Sequence, residues 1–312
     1  MRILITGAAG FAGNYLIQYI KKHLLWDITA VIMESEDLAV NGVDIRTANI
    51  LDKDGMLNIV REVQPDYVIH LAAQSSVRAS WEDPAGTVDI NIKGTVHLIE
   101  ALRQAAPEAR ILLAGSAEEY GSSSLGQCPL REDTAVKPVN IYAVTKACQN
   151  MIGMIYSNAY HMNIIMARSF NHIGPGQSPV FVVSDFCRQA AEIEKGYKPP
   201  VIRTGNLDVY RDFMDVRDIV RIYTTLVQYG TGGETYNVGS GKAVSLNSIL
   251  GLIVKNSPAD IQILPDPDKM RPADIKVLEA DITKLKQLTP SIVTYHLEET
   301  VRDILDYWRS KI

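Results

Sequence analysis

The sequence predicts an α/β protein whose larger part is a doubly wound parallel sheet. Over residues 1–168, short β-branched apolar runs alternate with longer segments of helical period, and runs such as ILIT and ILLAG are apolar on both faces. Helices that cover both sides of a parallel sheet produce this composition, because neither face of the strands meets water. A glycine-rich segment after the first run marks the turn from a first strand into a first helix.

The elements of this sheet are predicted to alternate along the chain. Strands are predicted over residues 2–6, 28–33, 43–48, 67–71, 110–114 and 163–167. Helices are predicted between them, over residues 11–24, 54–63, 86–106 and 141–160.

After Arg168 the sequence changes character. Glycine and proline cluster at 174–179, 196–205 and 230–233, with shorter elements between the clusters. Residues 1–168 are therefore expected to form the first domain. Residues 169–312 are expected to form a smaller α/β region that is rich in loops and binds the substrate, with some segments returning to the first domain.

Composition and charge limit the classes of function. Hydrophobic residues make up 46% of the chain, and 31 Lys and Arg against 36 Asp and Glu give a net charge of −5. This mild acidity argues against nucleic acid or an anionic membrane as the main partner. No apolar run approaches the roughly 20 residues that cross a bilayer, and the N-terminus lacks the pattern of a signal peptide, so we expect a cytoplasmic protein. Scattered histidines and three cysteines without CxxC spacing predict no metal site.

The glycine-rich segment is Gly7-x-x-Gly10-x-x-Gly13, which includes Phe11 and Ala12. Glycines at this point allow a tight turn and a close approach of the backbone to a pyrophosphate, while the free N–H groups of the helix attract the anion. An ordinary glycine-rich turn is the alternative, but the position after a first strand favours a Rossmann-type dinucleotide-binding domain.

Glu34 follows the second predicted strand, where an acid accepts hydrogen bonds from the adenosine ribose. Glu34, Glu36 and Asp37 form an acidic stretch, and no Lys or Arg occurs between 23 and 45. A 2′-phosphate would meet like charge there, so NAD(H) is slightly favoured over NADP(H). An arginine folded in from elsewhere, such as Arg46, would weaken that preference.

Tyr142 and Lys146 lie four residues apart, on one face of a predicted helix. There the ammonium is expected to lower the pKa of the phenol and make it a general acid or base. The spacing alone carries little weight, because Tyr307 and Lys311 repeat it. Ser116 distinguishes Tyr142 and Lys146 from that chance pair, because it lies upstream of them at the end of a predicted strand. The end of a strand in a parallel sheet is the edge that faces ligands. A loop serine that caps local backbone is the alternative.

Together these residues resemble the extended short-chain dehydrogenase/reductase family, whose marks are TGxxGxxG, a serine or threonine after the fifth strand, and YxxxK. Further matches extend along nearly the whole chain: His70-Leu-Ala-Ala73, Asn91-x-x-Gly94-Thr95, Tyr120-Gly121, Arg168-x-x-Asn171, Arg211-Asp-Phe213, Asp215-Val216-x-Asp218 and Tyr236-Asn-Val238-Gly239.

Within that family the sequence most resembles the branch that acts on GDP-linked 6-deoxyhexoses, and in particular its 4-ketoreductases. GSAEEYG, RSFNHIGPGQSP and MRPADI are among the stretches that carry this likeness. The resemblance implies NAD(P)H-dependent reduction of a C4 ketone to give GDP-D-rhamnose or a close relative. GDP-mannose 4,6-dehydratase, or another nucleotide-sugar dehydratase or epimerase, is the alternative, because Glu118 occupies the position of the dehydratase base. A nucleotide-sensing regulator is a third reading, but such proteins usually lose the tyrosine or the lysine.

The resemblance also implies the site residues and a partner. Ser116, Tyr142 and Lys146 are expected to be catalytic, with Glu118 as a possible fourth. The helices over 86–106 and 141–160 correspond to those that form a homodimer in this family. Cofactor contacts are expected at Gly7, Gly10, Phe11, Ala12, Gly13, Glu34, Asn49, Ile50, Leu71, Ala72, Ala73, Tyr142 and Lys146. Contacts with a GDP-linked sugar are expected at Ser75, Glu118, Asn171, Arg211 and Arg271.

Overall fold

A computed structural model describes residues 1–124, 126, 128–269 and 275–312 of the chain. Within these residues the strands are β1 (Arg2–Thr6), β2 (Asp27–Ile32), β3 (Asp44–Thr47), β4 (Tyr67–His70), β5 (Arg110–Ala114), β6 (Ile164–Ser169), β7 (Asn171–Ile173), β8 (Val201–Thr204), β9 (Tyr210–Asp215), β10 (Thr235–Val238), β11 (Ala243–Ser245), β12 (Gln262–Pro265) and β13 (Val277–Leu278). The α-helices are α1 (Phe11–His23), α2 (Lys53–Val63), α3 (Val77–Glu82), α4 (Pro84–Val88), α5 (Gly94–Ala105), α6 (Ile141–Tyr160), α7 (Val182–Glu194), α8 (Val216–Tyr229), α9 (Leu246–Lys255), α10 (Thr283–Leu288) and α11 (Leu297–Lys311).

The main sheet has seven strands in the order β3-β2-β1-β4-β5-β6-β10, and every pair in it is parallel. The six strands predicted for this sheet are confirmed, with ends that differ by at most two residues. The order reverses between β1 and β4, and a parallel sheet opens a crevice for ligands beyond the carboxyl ends of its strands at such a point.

Helices cover both faces of the sheet, as the apolar composition of its strands predicts. Successive side chains of β1 point to opposite sides. Ile3 and Ile5 belong to a core with α1 and α8, whereas Leu4 belongs to a separate core with α2 and α5. The chain therefore buries both faces of its central strand, and the class of a doubly wound α/β sheet is confirmed.

The predicted helix over 86–106 is divided in the structure. After α4 the chain forms one π-helical turn, Asp89–Lys93, before α5 begins at Gly94. Inside this turn the Asn91 side chain is fully buried and hydrogen-bonded, because it accepts from the backbone N–H of Gln74 and donates to the hydroxyl of Thr145. π-Helical turns inside α-helices occur frequently at functional sites.

A smaller region packs beside the carboxyl edge of the main sheet. It contains a sheet in the order β11-β9-β13, with β7 also paired to β9, and a separate β8-β12 pair. α7, α9 and α11 form a third apolar core against it. α8 and β10 also follow Arg168 in the chain, but they return to the main sheet. None of the described helices is long and apolar enough to cross a bilayer.

Candidate active site

The glycine-rich turn joins β1 to α1 at the crevice. Gly7 has a φ of +68°, and a Cβ there would lie 2.6 Å from the backbone nitrogen of Ala72. A Cβ on Gly13 would lie 2.4 Å from the carbonyl oxygen of Ala8. Both positions therefore require glycine. Gly7 packs against the backbone of Ala72 just after β4, and Gly13 packs against the backbone of the turn itself.

The first turn of α1 is built to receive an anion. Gly10 occupies the N-cap position without any side-chain cap, and the first turn carries no acidic residue. The N–H groups at the start of a helix have no partner within the helix, and the helix dipole favours negative charge there. These residues fit the pyrophosphate of a dinucleotide. Phe11 follows at once, and its ring is nearly parallel to His172 from β7, with the ring centres 6.2 Å apart.

Ser116 lies just beyond β5, in a short segment whose backbone holds its hydroxyl. The backbone N–H of Glu118 donates to Ser116 Oγ at 3.2 Å, and the phenol of Tyr142 lies close enough to Ser116 for the serine to lower its pKa. Asn140 places that phenol, because it caps the start of α6 by accepting from the backbone N–H of Ala143 at 2.8 Å. The structure thus brings the predicted serine and tyrosine together.

Lys146 is one turn further along α6 and is almost completely buried. Its Nζ donates to the carbonyl oxygen of Ala114 at 2.8 Å and to Gln149 Oε1 at 3.1 Å. Burial lowers the pKa of the Lys146 ammonium to about 8, although the charge of Glu119 acts in the opposite direction.

The expected lowering of the Tyr142 pKa is not what the structure shows. Burial raises the pKa of this phenol, the neighbouring Ser116 opposes that rise, and the charge of Glu118 adds to it. The reason is geometric: the lysine donates its hydrogen bonds to Ala114 and Gln149, and the phenol is buried. Tyr142 is therefore a protonated group at neutral pH, ready to donate.

Glu118 is partly exposed beside this pair. One of its carboxylate oxygens accepts from Asn140 Nδ2 at 3.1 Å, so the residue that caps α6 also fixes the glutamate. The structure therefore brings Glu118 to the same site as Ser116 and Tyr142.

A chain of buried hydrogen bonds runs under the site and links the glycine turn to α6. Its members are Thr6 with His70 at 2.7 Å, His70 with Thr95 at 3.0 Å, Thr95 with the carbonyl of Asn91 at 2.7 Å, Asn91 with Thr145 at 2.9 Å, and Thr145 with the carbonyl of Tyr142 at 2.8 Å. Because Thr95 donates to Asn91, it accepts from His70 Nε2, and His70 Nδ1 accepts from Thr6. Burial together with the charge of Lys146 lowers the pKa of His70 to about 3, so the ring is neutral.

Neither Thr145 nor the side chain of Asn91 could be assigned a role from the sequence. Asn91, His70 and Thr95 lie in stretches that match the family, which was the available signal, but their partners come from separate segments. Glu119 also could not be assigned a role from the sequence, because its partners come from separate segments as well.

The other residues predicted to touch the cofactor line the edge of the sheet. Glu34 is exposed just after β2, Asn49 is exposed after β3, and Ile50 is buried. Leu71, Ala72 and Ala73 are half-buried after β4, next to the glycine turn. Arg46 is engaged with Asp44 and Glu62 on the outer strand β3.

The residues predicted for the substrate fall in several places. Ser75 is exposed in the loop before α3, and Asn171 is exposed on β7. Arg211 is buried on β9, where Nη1 donates to the carbonyl oxygen of Ile275 at 2.6 Å. β7 pairs with β9 so that Asn171 lies opposite Phe213, which brings the two strands together. Arg271 lies outside the described residues.

Among those described, no three His, Cys, Asp or Glu side chains are grouped to hold a metal.

A doubly wound sheet with a glycine turn after β1, and with Ser116, Tyr142 and Lys146 at its carboxyl edge, defines a short-chain dehydrogenase/reductase of the extended type. Comparison with known proteins narrows this class. The sequence profile described as GDP-mannose 4,6 dehydratase matches residues 4–304, and the chain belongs to that family. This confirms the family resemblance drawn from the sequence motifs.

Several relatives match nearly the whole chain. GDP-6-deoxy-D-mannose reductase of Pseudomonas aeruginosa is 30% identical over 312 residues, which cover 100% of this chain and 98% of the relative. The structure of RMD from Pseudomonas aeruginosa complexed with NADPH superposes with a TM-score of 0.89 at 29% identity and covers 100% of this chain and 99% of that one. GDP-mannose 4,6-dehydratase of Yersinia enterocolitica is 25% identical, with 97% of this chain and 92% of the relative covered.

Proposed function

We propose that the protein is an NAD(P)H-dependent reductase that converts the C4 ketone of a GDP-4-keto-6-deoxyhexose into an alcohol, giving GDP-D-rhamnose or a close relative. The observation that carries this proposal is that Ser116, Tyr142 and the buried Lys146 lie together at the carboxyl end of β5, where Lys146 Nζ donates to the carbonyl oxygen of Ala114. The full-length similarity to a GDP-6-deoxy-D-mannose reductase supports the substrate class.

The cofactor site fits NAD(P)(H) on the geometry of the chain. Gly7 and Gly13 leave no space for a side chain, and the uncapped start of α1 offers N–H groups to a pyrophosphate. When bound, the cofactor supplies the hydride. Lys146 would contact its nicotinamide ribose, and Glu34 would accept from the adenosine ribose.

The residues of the chain then handle the proton. The ketone oxygen accepts hydrogen bonds from the hydroxyls of Ser116 and Tyr142, which orient it and stabilise the negative charge that develops there. Tyr142 donates its proton to the forming alkoxide. The raised pKa of Tyr142 suits this direction, because the group must enter the reaction protonated.

The substrate is proposed to lie between the main sheet and the smaller region. Ser75, Glu118 and Asn171 would contact the sugar, and Arg211 and Arg271 would contact the diphosphate. The pairing of β7 with β9 supports this arrangement, because it places the strand of Asn171 next to the strand of Arg211. A guanidinium group suits a diphosphate, because its planar N–H groups match the geometry of phosphate oxygens.

A second candidate is a GDP-mannose 4,6-dehydratase, and Glu118 is the observation that favours it. Its carboxylate is fixed by Asn140 beside Tyr142, where a base would reach a proton on the sugar. A dehydratase regenerates its own cofactor within each turnover, whereas a reductase releases it oxidised. This difference separates the two activities experimentally.

The test is to mix the protein with GDP-4-keto-6-deoxymannose and either NADH or NADPH, and to follow nicotinamide absorbance and the sugar product by NMR. Stoichiometric oxidation of the cofactor with formation of a 4-hydroxy sugar is expected. No oxidation with either cofactor, together with conversion of GDP-mannose into a 4-keto product, would establish the second candidate instead. Glu118→Gln serves as a matched variant, because it should abolish dehydration but only weaken reduction.

We also propose that the protein is a cytoplasmic homodimer. α6 exposes Met151, Met154 and Ile155, at 52%, 42% and 60% exposure. Apolar side chains grouped on one exposed helix face are typical of a surface that a partner covers. A cytoplasmic location accords with the proposed substrates, since nucleotide-linked sugars and reduced nicotinamide cofactors are used there.

A further inference from the structure

The proposed reaction gives no role to Glu119, although this residue touches three parts of the site. Its side chain is fully buried. One carboxylate oxygen accepts from the backbone N–H of Ser116 at 2.9 Å. The other accepts from Arg168 Nε at 2.9 Å and from Asn150 Nδ2 at 3.1 Å. A single carboxylate thus joins the segment that carries Ser116, the helix α6 and the strand β6.

Arg168 is held as firmly as its partner. It is 4% exposed, its guanidinium lies 4.5 Å from the centre of the Tyr120 ring, and Nη1 donates to the carbonyl oxygen of Glu132 at 3.3 Å. Burying two charges removes them from water, and this desolvation often offsets the attraction between them. Stability alone therefore does not account for an ion pair at this place.

The carboxylate packs directly against the backbone that leads to the catalytic serine. A Cβ on Gly115 would lie 2.7 Å from Glu119 Oε1, so the loop and the side chain leave no space between them. Ser116 is consequently fixed at two points, by the bond from its N–H to Glu119 and by the bond that its hydroxyl accepts from Glu118. A change at Glu119 moves the backbone from which the serine hydroxyl projects.

We propose that Glu119, held by Arg168, is a positioning residue that orients the hydroxyl of Ser116 toward Tyr142 and keeps α6 in register with it. This inference rests on the proposed function for the identity of the reaction, but its geometry concerns only the chain itself. Asn150 is one turn beyond Lys146 on α6, so the same carboxylate anchors both the serine and the helix that carries the tyrosine and the lysine.

The charge of Glu119 also affects the pKa values of its neighbours. It raises the pKa of Lys146 and of Tyr142. The other titratable groups that face these two residues are Glu118 from the same segment, His70 from β4 and Tyr223 from α8, while Arg168 from β6 is the counter-ion of Glu119. Removal of the carboxylate charge is therefore expected to lower both pKa values, an effect that a purely structural residue would not produce.

Two variants separate position from charge. Glu119→Gln retains an oxygen that can accept from the Ser116 N–H but removes the charge. The double variant Glu119→Leu with Arg168→Met removes the acceptor and both charges while keeping apolar volume, and such replacements of buried pairs often preserve stability. Glu194→Gln is the matched control, because Glu194 pairs with Arg309 at 2.8 Å between α7 and α11 and makes no contact with the serine segment.

Three readouts are compared in the full-length proteins: kcat and KM over a range of pH, thermal unfolding, and hydrogen exchange of the amides around Ser116. We expect Glu119→Gln to move the pH profile of kcat to lower pH while KM stays close to that of the wild type. The double variant should remain folded, exchange the Ser116 amide faster and lose about 100-fold in kcat, as small misplacements of reacting groups do. The control should change none of these.

A folded double variant with faster Ser116 exchange but wild-type kcat would overturn the proposal, as would a Glu119→Gln profile that coincides with the wild type. If the double variant fails to fold, the pH profile of Glu119→Gln decides alone. If the wild type reduces no 4-keto sugar, the proposed function fails. Hydrogen exchange of the Ser116 amide in the wild type and the folded double variant then tests the positioning role separately, because it needs no activity: an unchanged exchange rate overturns it.

Discussion

The Nζ of Lys146 lies 2.8 Å from the carbonyl oxygen of Ala114, so the lysine of α6 is bonded to the last residue of β5. Ser116 follows that residue after a single glycine. The strand end that leads to the serine is therefore the same backbone that fixes the lysine, so β5 holds Ser116 and Lys146 in a fixed relation to each other.

Tyr142→Phe is expected to reduce turnover at least 100-fold, since it removes the proton donor from a site that is otherwise intact. Binding of NADPH, followed by fluorescence quenching, should be unchanged. Tyr307→Phe is the matched control, because Tyr307 also precedes a lysine by four residues but lies on α11. Wild-type turnover in Tyr142→Phe would exclude the proposed mechanism.

Glu34 is expected to favour NADH over NADPH. It is exposed after β2, and Arg46 on the neighbouring strand is already paired with Asp44 and Glu62. Glu34→Gln should weaken NADH binding about tenfold, because a hydrogen bond to a charged group contributes about 1.5 kcal/mol, and should narrow the difference between the cofactors. Dissociation constants for both cofactors measure this. Tighter binding of NADPH than NADH by the wild type would contradict the prediction.

His70 is expected to make the fold sensitive to acid. Its pKa is lowered to about 3 in the folded chain, whereas an exposed histidine titrates near 6.5. Between these values the unfolded state binds a proton that the folded state does not, so stability falls as pH falls through this window. The loss from this one group amounts to about 2 kcal/mol between pH 7 and pH 5.

His70→Gln tests this, since glutamine keeps one acceptor and one donor for Thr6 and Thr95. The variant should be less stable at pH 7, but its free energy of unfolding in urea should fall less than that of the wild type between pH 7 and pH 5. Other acid-sensitive groups are common to both proteins and cancel in the comparison. Equal losses in the two proteins would mean that His70 is not the group responsible.

Ile155→Glu is expected to separate the proposed homodimer into monomers, because it places a charge in the exposed apolar face of α6. The melting temperature of the monomer should change little, since the side chain is 60% exposed within one chain. Light scattering coupled to size exclusion measures the change. Leu25→Glu is the control, at a fully exposed apolar position outside α6. A wild type that is already monomeric would refute the dimer.

Much of the fold was predictable because the strands of the main sheet are apolar on both faces and lie between helices of clear period. The glycine turn was also predictable, because the spacing of Gly7, Gly10 and Gly13 directly after a predicted strand is visible in the sequence. The structure shows that Gly7 and Gly13 have no space for a side chain. The division of the helix over 86–106 was not predictable. The π-helical turn depends on hydrogen bonds between the side chain of Asn91 and Gln74 and Thr145. A local sequence pattern does not show which distant residues a side chain will contact.

The candidate site shows the same limit. Ser116, Tyr142 and Lys146 could be found from their order and their places on predicted elements. The pKa of Tyr142 could not, because it depends on burial, and burial depends on packing between distant segments. Glu119 was likewise hidden, since nothing in GSAEEYG indicates that the second glutamate contacts both the backbone N–H of Ser116 and the side chain of Arg168.

β10 and α8 complete the main sheet although they follow Arg168 in the chain, and this has a consequence for biosynthesis. While the ribosome is still making the residues after β6, the outer edge of that strand has no neighbour, and the core that α8 covers stays open to water. The nascent chain must carry this unfinished sheet until Val238 has emerged from the exit tunnel. A fragment that stops near residue 168 would keep that open edge permanently, and would be expected to associate with other copies rather than fold as an independent cofactor-binding unit.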